Sequence, residues 1–188
     1  MIERVNPRIV IHSAAIANTD LCEINKSICW KTNVEGTRNV ALASRGIADK
    51  FVYISTAYVF DGEKGLYREE DLPNPINYYG LTKLLGEEIA KTTHPQNHLV
   101  LRLSLVLGLK PKGESLLSKL ISNKIMEVPT DQYISPLTSE LVAEITEILL
   151  EKNLTGVFHV GGERMSRYQA LQLARESLGL KIALKPTT

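Results

Sequence analysis

The sequence predicts an α/β fold, a Rossmann-like parallel sheet with flanking helices followed by small C-terminal segments. Short runs rich in β-branched residues, such as "RIVIHSA" and "KFVYIS", alternate with longer amphipathic segments along the 188 residues. Each strand-like run is short and almost wholly apolar, which is typical of strands buried on both faces. Alternation of such strands with helices indicates βαβ units and a mostly parallel sheet.

The predicted elements follow one another in a simple order. The strands are placed at 8–14, 50–55, 98–104 and 156–161. The helices are placed at 20–44, from "NYYGLTK" (77–83) onward, at 116–124, at 139–152 and at 166–179. Ligands of such sheets bind outside the carboxyl ends of the strands, so residues at those ends are the candidate site residues.

Composition and charge exclude several classes of protein. The net charge is +1, and the 22 basic residues are scattered among 21 acidic ones without a basic stripe, which argues against a nucleic-acid partner. No segment approaches the roughly 18 apolar residues that a membrane span requires. The charged N-terminal stretch does not resemble a signal peptide. We therefore expect a cytoplasmic protein with no membrane partner.

Cys22 and Cys29 fall within the predicted helix at 20–44. A separation of seven places them on one helical face about two turns apart. That is beyond the roughly 7 Å between Cα atoms that a disulfide spans, so the sequence predicts two reduced, partly buried thiols. The histidines have no metal-ligand spacing with these cysteines, and no metal site is predicted.

The start of the helix at 77–83 gives the first indication of chemistry. Tyr79 and Lys83 are four residues apart, so their side chains share one helical face. A cation beside a phenol favours the phenolate, and Lys83 is therefore expected to lower the Tyr79 pKa from about 10. Such a phenol is a candidate proton donor. Taken alone, Tyr79 is better interpreted as an ordinary tyrosine at a helix start.

Other stretches of the sequence support the chemical interpretation jointly. They are "VIHSAA", "KTNVEGTRNV", "STAYVFDGEKGLYREEDLPNPINYYGLTKLLGEE", "LRLSLVLG" and "DQYISP". In order, spacing and turn residues they resemble the extended short-chain dehydrogenase/reductase superfamily, and more closely its dTDP-4-dehydrorhamnose reductases. The long central stretch is the most specific, and the resemblance runs from about Ile9 to Leu180.

The resemblance implies a catalytic trio of Thr56, Tyr79 and Lys83. In the implied reaction a reduced nicotinamide, NADPH or NADH, gives a hydride to a nucleotide-linked 4-keto sugar. Tyr79 protonates the developing alkoxide, and Thr56 hydrogen-bonds the same oxygen. Lys83 holds the cofactor ribose and tunes the Tyr79 pKa.

The resemblance also implies further cofactor contacts. Ala14 and Ala15 lie along the cofactor, Asn33 belongs to the supporting hydrogen-bond network, and the segment from Arg102 to Ser104 approaches the nicotinamide. The implied division of the chain has a partial NAD(P)-binding core and substrate-binding segments. The core comprises 1–107 and 139–160, and the substrate-binding segments comprise 108–138 and 161–188.

Two features depart from the family pattern. Ala57 stands where the family usually has Asp, which bears on substrate choice. The 12 glycines include no G-x-G-x-x-G turn for the cofactor pyrophosphate.

The sequence begins where the family's fourth strand begins, so we expect an N-terminally truncated sheet in which the strand at 8–14 has an open edge. That edge requires a longer gene product, a second copy or another partner chain to cover it. We also expect these 188 residues alone to bind NADPH weakly.

A second function is compatible with the same motifs. They recur in the regulatory subunit of methionine adenosyltransferase, which serves by docking to an enzyme. The absent pyrophosphate turn and Ala57 both favour this alternative, a non-catalytic binding subunit.

Overall fold

The structure is a computed structural model that describes residues 2–108, 116–122 and 125–188. The helices are α1 (Ile2–Val5), α2 (Thr19–Ile24), α3 (Lys26–Trp30), α4 (Gly36–Ser44), α5 (Tyr78–Thr93), α6 (Leu116–Ser122), α7 (Ser139–Glu151) and α8 (Arg167–Ser177). The strands are β1 (Ile9–His12), β2 (Lys50–Thr56), β3 (His98–Leu103), β4 (Val106–Leu107), β5 (Ile125–Pro129), β6 (Tyr133–Ile134), β7 (Leu137–Thr138), β8 (Gly156–Val160), β9 (Met165–Ser166) and β10 (Ala183–Thr187). A π-helical turn (Lys31–Glu35) precedes α4, and a 3₁₀ turn (Ala57–Val59) follows β2.

The predicted α/β fold with a parallel sheet is confirmed. The described residues form two compact units, one within 1–103 and 150–160 (the sheet unit) and one within 104–149 and 161–188 (the second unit). In the sheet unit the strands pair in the order β1-β2-β3-β8, and every pair is parallel. These are the four strands that the sequence predicts. Of the predicted short helix, positions 123 and 124 lie outside the described residues.

The core of the sheet unit lies between the sheet and helices α4 and α5. Its fully buried side chains are Ala41 from α4, Ala90 from α5, Phe51 and Tyr53 from β2, and Val100 from β3. Burial of each large side chain of this kind stabilises the fold by about 1.5–3 kcal/mol. Helix α5 is therefore fixed against β2 and β3.

Strand β1 lies at the edge of the sheet. Among the described residues it pairs only with β2. Its side chains Ile9 and Ile11 are 45% and 53% exposed, respectively. An edge strand with exposed apolar side chains is a surface that proteins normally cover.

The second unit consists of short paired strands and helices. β5 pairs in parallel with β10, β4 in parallel with β7, and β6 antiparallel with β9. Leu120, Val128, Leu171 and Ile182 form its buried apolar cluster. A capping box between Ser166 and Gln169 begins α8. No helix in the described part of the chain is long and apolar enough to cross a membrane.

The helix predicted over 20–44 is divided at Asn25, which corrects the prediction for the cysteines. Asn25 ends α2 and caps α3, its side chain accepting a hydrogen bond from the Ile28 N–H at 3.1 Å. The bend at this point brings the Cα atoms of Cys22 and Cys29 to 5.2 Å, and the two sulfurs form a disulfide. The prediction that these residues are too far apart to pair was wrong because it assumed one continuous helix.

His12, the last residue of β1, is buried and neutral. Its Nε2 lies 2.9 Å from the Thr37 hydroxyl, and its ring stacks on Phe51 and Tyr53. Burial, with a smaller contribution from the charge of Lys83, lowers the pKa of His12 to about 4. The folded state therefore excludes a proton that the unfolded chain accepts below about pH 6.5.

The lowered pKa of His12 in the folded state predicts a loss of stability in mild acid. As the pH falls from about 6.5 towards 4, only the unfolded state gains the proton, so the free energy of unfolding decreases by about 2 kcal/mol at pH 5. His12→Gln should reduce the change between pH 7.5 and pH 5 by about 2 kcal/mol, measured by urea denaturation, while the part due to buried His94 remains. His98→Gln, on the half-exposed start of β3, is the matched control and should keep the full change. An equally steep dependence in the His12 variant would contradict the assignment.

Candidate active site

The candidate site is built at the carboxyl end of β2. Thr56 is the last residue of this strand and is buried. Its hydroxyl oxygen accepts a hydrogen bond from the Tyr58 N–H at 3.2 Å, which caps the 3₁₀ turn. The strand end and the turn are thereby held as one local unit.

Helix α5 begins directly against this turn. Asn77 caps the helix by accepting the Gly80 N–H at 2.7 Å. A Cβ atom added to Gly80 would overlap the carbonyl oxygen of Tyr58, so only glycine permits this approach. The first turn of α5 consequently places Tyr79 beside Tyr58, with their rings edge to face at 6.0 Å.

Tyr79 and Lys83 share the buried face of α5, as their spacing predicts, with exposures of 8% and 3%. Burial raises the pKa of Tyr79, and a hydrogen bond with Thr56 opposes the rise. This direction is opposite to the expected lowering by Lys83. The Lys83 ammonium lies 4.1 Å from the centroid of the Tyr53 ring, a cation–π contact. Tyr79 is therefore a protonated phenol at neutral pH.

Lys83, unlike Tyr79, changes its protonation state close to neutral pH. Burial lowers the pKa of Lys83 to about 8, and the carboxylate of Glu87 opposes this effect. The ammonium is thus still the major form at pH 7, but it loses its proton within the range of ordinary assays. Its charge depends on the groups that surround it.

Asn33 connects the loop after β1 with helix α5. It lies in the π-helical turn, a feature often found at functional sites. Its side chain accepts the Ile16 N–H at 2.8 Å and donates to the Ile16 carbonyl at 3.0 Å. The same amide donates to the Thr82 hydroxyl at 3.1 Å, and Thr82 in turn donates to the carbonyl of Tyr79 at 2.7 Å. One buried amide therefore fixes both segments.

The remaining predicted cofactor residues occupy different surroundings. Ala14 is exposed and Ala15 half-buried, in the loop that Asn33 holds through Ile16. Arg102 is buried on β3 and its guanidinium is paired with Glu87. A ligand contact at this position would come from the backbone. Ser104 belongs to the second unit, where its hydroxyl accepts the Ser135 N–H at 3.1 Å.

Sequence reasoning missed the polar groups behind the site. Glu87 and Ser55 are buried and hydrogen-bonded to each other at 2.5 Å. The four-residue spacing from Lys83 to Glu87 would have placed this carboxylate on the same face of α5. Ser55 gave no such signal, because a serine inside an apolar strand is common. Across residues 2–108, 116–122 and 125–188, no group of three or more potential ligands could hold a metal ion.

The parallel sheet with flanking helices matches solved reductases of the short-chain dehydrogenase/reductase-like superfamily. Within it, the chain belongs to the RmlD substrate binding domain family, whose model matches residues 1–188. The predicted family relationship is confirmed.

The similar proteins include both enzymes and a subunit. The structure of a dTDP-4-dehydrorhamnose reductase from Bacillus anthracis in complex with NADP superimposes with a TM-score of 0.89 at 29% identity, covering 100% of this chain and 68% of that one. A probable low-salt glycan biosynthesis reductase from Haloferax volcanii is 33% identical over 87% of this chain and 57% of its own length. Methionine adenosyltransferase 2 subunit beta from Bos taurus is 32% identical over 97% of this chain and 58% of its own length. The chain thus spans about three fifths of the length of these two relatives.

The Asn33 network gives a stability prediction. Asn33→Ala should lower the free energy of unfolding by about 2–4 kcal/mol, because it removes a buried amide together with its two hydrogen bonds to the Ile16 backbone and its bond to the Thr82 hydroxyl. Asn74→Ala is the matched control. Asn74 is exposed and donates one hydrogen bond to Asp61, so its loss should cost less than about 0.5 kcal/mol. Chemical denaturation measures both, and equal effects would show that the Asn33 network carries no special stability.

Proposed function

We propose that the chain is the catalytic and substrate-binding part of an NAD(P)H-dependent reductase that acts on a nucleotide-linked 4-keto sugar. The observation that carries the proposal is the burial of Tyr79 beside Thr56, with Lys83 on the same face of α5. The relationship to the RmlD family supports the substrate class, as do the dTDP-4-dehydrorhamnose reductases among the similar structures. The sheet unit takes the cofactor in this proposal, and the second unit contributes substrate-binding segments.

The residues present fit the nicotinamide-ribose half of a dinucleotide. Ala14 and Ala15 offer no bulky side chain on the loop after β1, and Lys83 offers a cation for ribose hydroxyls. The 188 residues contain no G-x-G-x-x-G turn for the pyrophosphate, so this half of the cofactor needs other residues. When bound, the reduced cofactor supplies the hydride.

The protein side chains act on the oxygen of the ketone. Negative charge develops on this oxygen as the carbonyl carbon is reduced, and the Thr56 hydroxyl stabilises it by donating a hydrogen bond. Tyr79 then gives its phenolic proton to the oxygen. Tyr79 holds its proton at neutral pH, as a general acid must, although burial raises its pKa and so weakens it as an acid. Lys83 binds the ribose and keeps a positive charge near the developing phenolate.

Removal of the Tyr79 hydroxyl tests the assignment. Tyr79→Phe should keep the fold but lower kcat by about a hundredfold or more, since general acid catalysis is lost. The measurement is oxidation of NADPH in the presence of dTDP-4-dehydrorhamnose. Tyr78→Phe, one position earlier on the same helix turn, is the matched control and should retain the parent rate. Full activity in the Tyr79 variant would eliminate it as the proton donor.

The second candidate is a non-catalytic binding subunit. The specific observation in its favour is the 32% identity to methionine adenosyltransferase 2 subunit beta over 97% of this chain. In this case the protein should form a stable complex with a methionine adenosyltransferase catalytic subunit and oxidise no NADPH with keto sugars. Sedimentation velocity of the mixture measures the complex. A solitary monomer that turns over the keto sugar would exclude the subunit role.

A further inference from the structure

Glu87 is a carboxylate with no solvent exposure, next to the candidate site. Its Oε1 accepts hydrogen bonds from the Ser55 hydroxyl at 2.5 Å and from Arg102 Nε at 3.0 Å. Its Oε2 accepts from Arg102 Nη2 at 2.8 Å. The carboxylate thus bonds two neighbouring strands of the sheet from its position on α5.

Two of the residues in this hydrogen-bond network are adjacent to candidate site residues. Ser55 immediately precedes Thr56 at the end of β2. Glu87 follows Lys83 by one helical turn, so both side chains lie on the buried face of α5. The strand end that carries one site residue and the helix that carries the other two are therefore joined through a single side chain.

We propose that Glu87 is a positioning residue of the candidate site, whose carboxylate aligns the end of β2 with α5 and supplies the counter-charge for the Lys83 ammonium. This proposal rests on the proposed function, because Thr56, Tyr79 and Lys83 form one site only if the protein is the proposed reductase.

The charges that face Lys83 support the electrostatic part of the proposal. His12 on β1 is neutral near pH 7, because burial lowers its pKa to about 4. Burial raises the pKa of Tyr53 on β2 and of Tyr79 on α5, so both phenols are neutral as well. Arg102 on β3 is a further cation, ion-paired with Glu87. Glu87 is the group that favours the charged form of Lys83.

A purely structural role for Glu87 makes a different prediction. A buried ion pair with Arg102 that served only stability would affect unfolding and leave the titration of Lys83 unchanged. A counter-charge changes that titration, whatever its effect on stability. The proton equilibrium of Lys83 therefore separates the two roles.

The test is an NMR titration of the 188-residue protein labelled with ¹³C at the lysine ε carbons, with the Lys83 signal assigned from its loss in Lys83→Met. The parent should show a Lys83 midpoint near the pKa of about 8. Glu87→Gln keeps the shape of the side chain but removes its charge, and should lower the midpoint by about one pH unit. Ser55→Ala is the matched control. It removes one hydrogen bond to Glu87 while all charges remain, so its midpoint should match that of the parent.

Two results would overturn the proposal: an unchanged midpoint in Glu87→Gln, or an equal decrease in Ser55→Ala. If Glu87→Gln does not fold, the double variant Glu87→Gln/Arg102→Met removes both buried charges together, an exchange that proteins often tolerate. Its midpoint should fall below that of Arg102→Met, which lacks the same cation but keeps Glu87, and a midpoint at or above that of Arg102→Met would refute the counter-charge. The titration requires no turnover. A protein with these midpoints in which Tyr79→Phe retains full reductase activity would contradict the proposed function while supporting the place of Glu87 beside Lys83.

Discussion

The close approach of α5 to β2 is the constraint on which the site depends. Two glycines permit it. A Cβ on Gly80 would overlap the carbonyl of Tyr58, and a Cβ on Gly86 would overlap the hydroxyl of Tyr53. A side chain at either position would move the helix away from the strand, and the distance from Tyr79 to Thr56 would increase with it. The geometry of the candidate site therefore depends as much on the missing side chains of these glycines as on the polar side chains.

Burial is the largest influence on the pKa values of the groups around this contact, and pairwise interactions come second. A low-dielectric environment disfavours whichever form is charged. It therefore raises the pKa of Tyr79 and lowers the pKa of Lys83 and His12. Helical spacing predicted that Lys83 lowers the pKa of Tyr79. That prediction took account of the two side chains but not of the protein interior around them. Within the sheet unit the phenol remains protonated, which is the form that a carbonyl reduction needs.

Local sequence signals predicted the parts of the structure that local interactions form. The helix start at 77–83, the Tyr79–Lys83 face and the strands of the sheet follow from turn residues and periodicity. The division of the helix at Asn25 was not predictable in this way, because apolar spacing continues across it. The disulfide and the Asn33 bonds to Ile16 depend on that division. The short strand pairs of the second unit, such as β5 with β10, join residues far apart in sequence, and two- to five-residue strands carry little periodicity.

The energetics of Lys83 bear on the choice between a reductase and a docking subunit. A pKa lowered from 10.5 to about 8 means that the buried ammonium costs on the order of 3 kcal/mol, at about 1.4 kcal/mol per pKa unit. Around it the fold also maintains a buried Glu87–Arg102 pair, whose desolvation is itself unfavourable. A protein that served only by docking through its surface would gain nothing from an interior cation, and an apolar side chain would pack there at lower cost. A cation is useful at this position if a polar ligand reaches it, and a ribose beside a proton-donating phenol is such a ligand. The polar interior behind Tyr79 therefore favours the reductase.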